Sequence, residues 1–305
     1  MAEPPLGRST SGEAAVRGLA IALTGFVIIT LADVAVKFAL PTIGVVGALL
    51  WRGFAGAAAV ALMSRGRYLR PRNLRLILLR SSLHCASAII WYIVWLRGYG
   101  LADSYAVAAA APLLMTLLAI PLLGEQVGWR RWTSTLVGFG GVLVMLQPGG
   151  ALWRWEVGVM LVAVALMALT RLWTRVLGRT DTPATITFWL MVAHIPVGLL
   201  LLPLFPPPVS LFPSGGTMLV LAALGCGNAL AHMLFARAFA IAPVSVLAPF
   251  EYSPLIWSLP IGLMIWGDWP APSTFAGAGI VIAAGLYNLH RERLRARQSR
   301  LGGGR

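Results

Sequence analysis

Apolar runs of about 17 to 25 residues, each long enough to cross a hydrocarbon core of roughly 30 Å, follow one another along nearly all of this 305-residue chain. Little sequence is left over for a soluble domain. The balance of 58% hydrophobic to 11% charged residues, with a mean hydropathy of +0.81, lies outside that of a water-soluble globule. Residues 1–17 are polar, carry Pro4 and Pro5, and lack the short apolar core and small-residue cleavage site of a signal peptide. The first apolar run is therefore expected to be a retained helix.

Polar, Gly and Pro breaks divide the chain into ten predicted helices, over 18–40, 43–63, 76–96, 104–123 and 129–146, then 157–176, 184–205, 217–236, 244–265 and 273–289. The expected fold class is an all-α integral membrane protein of ten transmembrane helices. A cytoplasmic amino terminus puts 20 of the 24 basic residues on the inner side, among them Arg80, Arg130, Arg131, Arg171, Arg175 and Arg179. Lys37, Arg97 and Arg154 fall outside and Arg52 falls within a span. Both termini are then cytoplasmic, and the chain belongs in the cell's inner, plasma membrane. The net charge of +14 reads as topological, since the arginines sit at the ends of apolar runs and form no solvated face for nucleic acid. Cys85 and Cys226 fall inside predicted spans, where they read as small core residues and not as a disulfide or zinc framework.

The two halves of the chain echo each other. Residues 95–102, WLRGYGLA, lie over residues 235–242, FARAFAIA, without a gap. Pro112 then finds a counterpart in Pro254, Gly124-Glu125 in Gly267-Asp268, and Gly138-Phe139-Gly140 in Gly277-Ala278-Gly279. Five helices per repeat invert the second copy, a plan that recurs in secondary transporters because equivalent halves can exchange roles around a central site. The predicted units are a tail over 1–17, a first repeat over 18–149, a second over 150–289 and a basic tail over 290–305.

Residues 18–293 resemble the drug/metabolite transporter (DMT) superfamily in its EamA-type ten-helix branch. The resemblance rests on Leu101-Ala102-Asp103-Ser104 through Pro112-Leu113 to Leu123-Gly124-Glu125, on Trp129-Arg130-Arg131-Trp132, and on the glycine-rich stretch from Val137 to Gln147-Pro148-Gly149. In the second half it rests on Ala248-Pro249-Phe250-Glu251-Tyr252 through Gly267-Asp268, then Gly277-Ala278-Gly279 and Gly285-Leu286-Tyr287. It implies two inverted repeats around a central cavity, alternating access, a small-molecule substrate and no bound cofactor. The Pro-Phe-Glu-Tyr pattern resembles carriers of riboflavin and S-adenosylmethionine. Asp268 departs from the glutamate often found there. The resemblance leaves a homodimer open.

No phosphate loop, HExxH, paired cysteines or nucleophile elbow is present, so neither catalytic nor metal-ligating residues are assigned. A membrane-embedded enzyme would have to work without a recognisable motif, and a passive channel would want a pore-lining repeat in place of scattered polar residues. The candidate site is instead built from charges inside the spans, each costing roughly 2.5 to 3.5 kcal/mol on insertion scales. Asp33 and Lys37, four apart on the first helix, suit an intrahelical pair, or Lys37 snorkels to the headgroups. Arg52 lies nearer the midplane, as a structural partner or as a site for an anionic substrate group. His84, Ser87 and Trp91 form one stripe on the third helix, and Asn228 and His232 repeat the idea on the eighth, with His232 opposite Tyr92 in the repeat alignment. Such groups suit interhelical hydrogen bonds or a cavity wall on which Trp91 and Tyr92 stack a ring.

Pro112 and Pro121, and Pro249, Pro254 and Pro260, punctuate the fourth and ninth predicted helices and free carbonyls that need protein or cavity water. Glu251, followed by Tyr252, lies among them near mid-membrane. Its carboxyl can exchange a proton between conformations, which proton coupling requires, or form a permanent pair with Arg52.

Overall fold

The structure, a computed structural model, describes residues 11–147, 155–213, 216–267, 269 and 272–302. Among these the chain is helical and without strands: α1 (Ser11–Met63), α2 (Leu74–Leu96), α3 (Leu101–Ala108), α4 (Ala111–Leu123), α5 (Trp129–Leu146), α6 (Trp155–Leu177), α7 (Pro183–Leu201), α8 (Gly216–Ile241), α9 (Val244–Leu247), a 3-10 turn over Ala248–Tyr252, α10 (Ser253–Trp266) and α11 (Pro272–Gly302). Among the described residues six stretches are long and apolar enough to cross a membrane: Glu13–Met63, Leu74–Leu96, Leu101–Leu123, Trp155–Leu177, Pro183–Leu201 and Gly216–Ile241. Trp132–Met145 and Pro272–Tyr287 are shorter apolar helices. The bundle exposes large apolar side chains and buries several charged ones in a largely apolar core. Leu31, Phe38, Leu62, Leu200 and Met264 are exposed, while Arg52, Arg80, Arg171, His232 and Glu251 are buried, the reverse of a water-soluble protein and the arrangement lipid demands.

Three corrections to the predicted helices have local causes. The first two predicted helices are the arms of α1, joined without a loop at Gly44, whose φ of 65° only glycine adopts readily. The kink releases the Thr42 carbonyl from its helical partner. The fourth and ninth predicted helices are each broken. The fourth parts at Ala109-Ala110, and α4 restarts with Pro112 in its first turn, where a missing N–H costs nothing. The ninth becomes α9, the 3-10 turn and α10, with Pro249 and Pro254 each opening a new segment. The basic tail after residue 289 continues α11 as helix to Gly302. Cys85 is buried as expected, but Cys226 is exposed, an ordinary position for a small residue on a face that lipid can cover.

Glycines set the closest helix contacts. A Cβ on Gly141 of α5 would stand 2.8 Å from the carbonyl of Gly277 on α11, and one on Gly277 would meet that of Gly141. Gly53 and Gly56 of α1 let Ile195 and Met191 of α7 approach in the same way. Gly124 and Gly267 end α4 and α10 with left-handed φ of 66° and 69°. Glu125 accepts the Val244 N–H at 2.9 Å and so caps α9. Its expected counterpart Asp268 lies outside the described residues.

The C-terminal arm of α1 and α7 are laced together at both ends. After α1 the chain turns through left-handed Arg65, Gly66 and Tyr68, and the Tyr68 carbonyl accepts from the hydroxyls of Thr182 and Thr185. The Leu69 carbonyl accepts from the Trp189 indole at 2.8 Å, and the Arg72 N–H donates to Asp181 at 2.6 Å. At the other end the segment following α7 lies on the α1 kink. There Val209 and Ser210 donate to the freed Thr42 carbonyl at 3.1 and 3.3 Å, and the Trp51 indole donates to Leu211 at 2.8 Å.

Candidate functional site

A cavity of about 90 Å³ lies at the level of the helix breaks. It draws Asp33 and Arg52 from the two arms of α1, His84, Trp91 and Tyr92 from α2, Tyr105 from α3, Arg171 from α6, His232 from α8, and Glu251 from the 3-10 turn. The breaks bring this about. An unbroken helix would carry regular backbone past mid-bundle, whereas here Ala108, Glu251 and Pro254 at the interruptions form part of the wall.

Arg52, 4% exposed, is the hub of one wall. Its Nη1 donates to the Tyr92 hydroxyl at 3.0 Å, and its Nη2 meets Nε2 of His84 and Nε2 of His232, each at 2.9 Å. A guanidinium can only donate, so both Nε2 atoms are acceptors and both rings carry their proton on Nδ1. The His84 and His232 rings meet edge to face at 4.8 Å, and His194 joins them 5.9 Å from His84. The His194 Nδ1–H is engaged by the Leu190 carbonyl at 2.7 Å. The Nε–H of Arg52 is buried and has no acceptor.

The second wall centres on Arg171, whose Nε approaches Oε1 of Glu251 to 3.1 Å, close enough for an ion pair though not aligned as a hydrogen bond. Its guanidinium carbon lies 4.0 Å from the ring centre of Phe235, with Phe26 and Phe239 at 5.9 and 5.8 Å. Ring faces are negative, so this apolar cage favours the cation it encloses. Between the two walls Asp33 accepts from the Tyr105 hydroxyl at 2.7 Å. Lys37 stands 4.5 Å over the Trp266 ring, so the structure gives each member of the expected Asp33–Lys37 pair a partner on another helix. The third wall is aromatic: Trp95 lies 5.8 Å from Trp91 and 6.1 Å from Tyr92, held by its indole N–H on Ser104 at 2.9 Å.

Of the nine sequence candidates, Asp33, Arg52, His84, Trp91, Tyr92, His232 and Glu251 meet at the cavity. Two do not. Asn228 is fully buried and turns its amide to the Leu224 carbonyl of its own helix at 2.9 Å. Tyr252 points the other way from Glu251 into the space left by Gly138 of α5, with its hydroxyl 3.5 Å from the Thr135 carbonyl. Ser87 lines the cavity while donating to the Ala163 carbonyl of α6 at 3.0 Å. The expected Glu251–Arg52 pair is replaced by Glu251–Arg171. Arg171 and Arg80, both assigned to the inner surface from sequence, are buried, and Arg80 donates through Nε to Thr174 at 3.0 Å. Arg171 is six residues from the end of α6, roughly 9 Å at 1.5 Å per residue, and follows Met167 by one turn on the face that also buries Ala163, Val164 and Ala168. That register was readable, and it marks the arginine as inward.

No family model matches the chain. It is 29% identical over 198 residues to a riboflavin transporter of Rhizobium johnstonii, a match covering 64% of each protein. It is 28% identical over 235 residues to a riboflavin transporter of Vibrio cholerae, covering 76% of this chain and 77% of that one. A Rickettsia prowazekii S-adenosylmethionine uptake transporter is 27% identical over 191 residues, covering 61% and 62%. The chain thus spans less than two thirds of the first and third of these relatives. All three are named as transporters and none as an enzyme. A protein of known crystal structure shares the fold with a TM-score of 0.72 over 92% of this chain and 99% of that one, at 19% identity.

Proposed function

We propose that this chain is an EamA-type member of the drug/metabolite transporter superfamily that carries a small organic metabolite across the inner membrane by alternating access. The observation that carries the reading is the cavity itself. Ionised side chains gather mid-bundle, where they cost most, and they do so at two broken helices, the construction by which transporters hold polar substrates. Ten crossings follow if the two arms of α1, the α3–α4 and α9–α10 units, α5 and α11 each span once. Helix pairing supports inverted repeats over 18–149 and 150–289. The N-terminal arm of α1 packs on α8 as α2 packs on α6, while α5 meets α11 and the second arm of α1 meets its equivalent α7. Both termini would be cytoplasmic.

Riboflavin and S-adenosylmethionine, the substrates named for the similar proteins, are the first compounds to test. Purified protein in liposomes should accumulate or exchange one of them above protein-free vesicles. Absence of flux for both, and for a wider set of nucleosides, vitamins and amino acids, would remove the transport reading. We further propose that Glu251 couples transport to protons, through a pair with Arg171 that protonation would release, with Asp33 and Tyr105 within electrostatic reach. Glu251→Gln should then keep substrate exchange but lose pH-driven accumulation. Full pH-dependent accumulation by that variant would end the coupling proposal and leave transport standing.

A further inference from the structure

Three buried guanidinium groups stand within electrostatic reach of one another: Arg52 and Arg171 on the cavity wall, and Arg80 outside its lining. Among the described residues, the carboxyl groups in reach of Arg52 and Arg171 are Asp33 and Glu251, and none is in reach of Arg80. Arginine does not give up its proton in proteins, His84 and His232 are held as neutral tautomers by accepting from Arg52, and no histidine can supply a negative charge. Three cations against at most two anions leave at least one positive charge over at a depth where an unbalanced charge is costly.

The excess is not evenly shared. Arg171 is held by a carboxylate and a cage of three phenylalanines. Arg52 has three of its five N–H donors on neutral acceptors, each of which an anionic oxygen would outbid, since a charge-assisted bond is about twice as strong as a neutral one. Its Nε–H, buried and without an acceptor, is a donor awaiting a partner. Trp91 and Trp95 line the same cavity and offer aromatic rings and no competing charge.

Resting on the transport reading above, we infer that the substrate is an anionic, ring-bearing metabolite whose carboxylate or phosphate oxygen binds Arg52 while its ring stacks on the α2 aromatics. The anion balances the third guanidinium, so substrate binding completes the site electrostatically as well as sterically.

Isothermal titration calorimetry on the purified full chain tests this with probes that hold the ring and change the charge: nicotinate, nicotinamide and 1-methylnicotinamide, and adenosine 5′-monophosphate against adenosine. The expected result is that each anion binds about tenfold or more tightly than its neutral partner, and that 1-methylnicotinamide binds weakest. Arg52→Gln should erase the preference for the anion while leaving the neutral probes as they were, and Arg52→Lys should keep part of it. Should Arg52→Gln fail to fold, the wild-type comparison and Arg52→Lys still decide. Equal affinity for acid and amide, a preference for the cation, binding of inorganic phosphate as tight as that of the nucleotide, or no binding of any probe at millimolar concentration would overturn the inference. Titration does not depend on flux. A chain that binds anionic rings but moves nothing in liposomes refutes transport and not this inference, whereas flux of a neutral or cationic metabolite with no anion preference refutes this inference and not transport.

Discussion

Arg52 and Arg171 face the same cavity and are almost equally buried, yet their surroundings differ in kind. Arg171 has its counter-charge and its aromatic cage in place, and every part of that setting comes from helices packed directly around it. Arg52 donates to a phenol and two imidazoles, and keeps a buried N–H without an acceptor. The first has its counter-charge in direct contact; the second makes its direct contacts to neutral groups. A buried cation therefore does not announce its role by burial, and its partners decide it.

The comparison breaks most sharply at Arg171. Arg171→Met strands Glu251 without its counter-charge, and loss of one member of a buried ion pair costs about 3 to 5 kcal/mol. Unfolding in detergent should show a loss of that size, and Arg171→Met with Glu251→Gln should recover much of it. A double variant no more stable than the single one would show that the two groups are not coupled. Arg52→Gln should cost less, about 1 to 3 kcal/mol, because it leaves only neutral acceptors unfilled. If it destabilises as much as Arg171→Met, the distinction between the two arginines fails. Phe235→Leu opens the face of the Arg171 cage and should cost roughly 1 kcal/mol beyond the packing change, measured in the same unfolding assay. Tyr252→Phe should be the mildest, within about 0.5 kcal/mol and with flux unchanged, since its hydroxyl is 3.5 Å from an acceptor and away from the cavity.

The helices were legible in sequence wherever an apolar run of spanning length ended at a glycine or a polar cap, as at Asn73 before α2 and Thr182 before α7, whose side chains accept from Leu76 and Thr185. The breaks at Ala109-Ala110 and Ala248–Tyr252 were legible only as freed carbonyls, because proline fixes the loss of a bond but not whether the helix bends or parts. His84, Tyr92 and His232 were found because polar groups inside apolar runs stand out. That they share Arg52 depends on how α1, α2 and α8 rotate against each other, which one sequence does not state. The same rotation separates Asn228 from His232: one helical turn and about 40° apart, one bonds its own helix and the other faces the cavity. Arg171 was misassigned because a rule that counts arginines toward the cytoplasm is blind to the last two turns of a helix, where inner-surface and buried positions alternate every few residues.

The lacing of α1 to α7 has a consequence for how the molecule comes apart. Helices ordinarily lose structure from their ends, where the last turns lack partners. Here each end of the paired helices is held by side-chain hydroxyl, indole or backbone bonds to the segment leaving the other helix, through Tyr68 and Leu69 at one end and Thr42 and Trp51 at the other. Neither helix can unravel without first releasing its neighbour's connecting segment, so the two should open as one cooperative unit. In hydrogen–deuterium exchange, amides of residues 45–63 and 183–201 should lose protection together and later than those flanking the broken helices at Ala109 and Phe250.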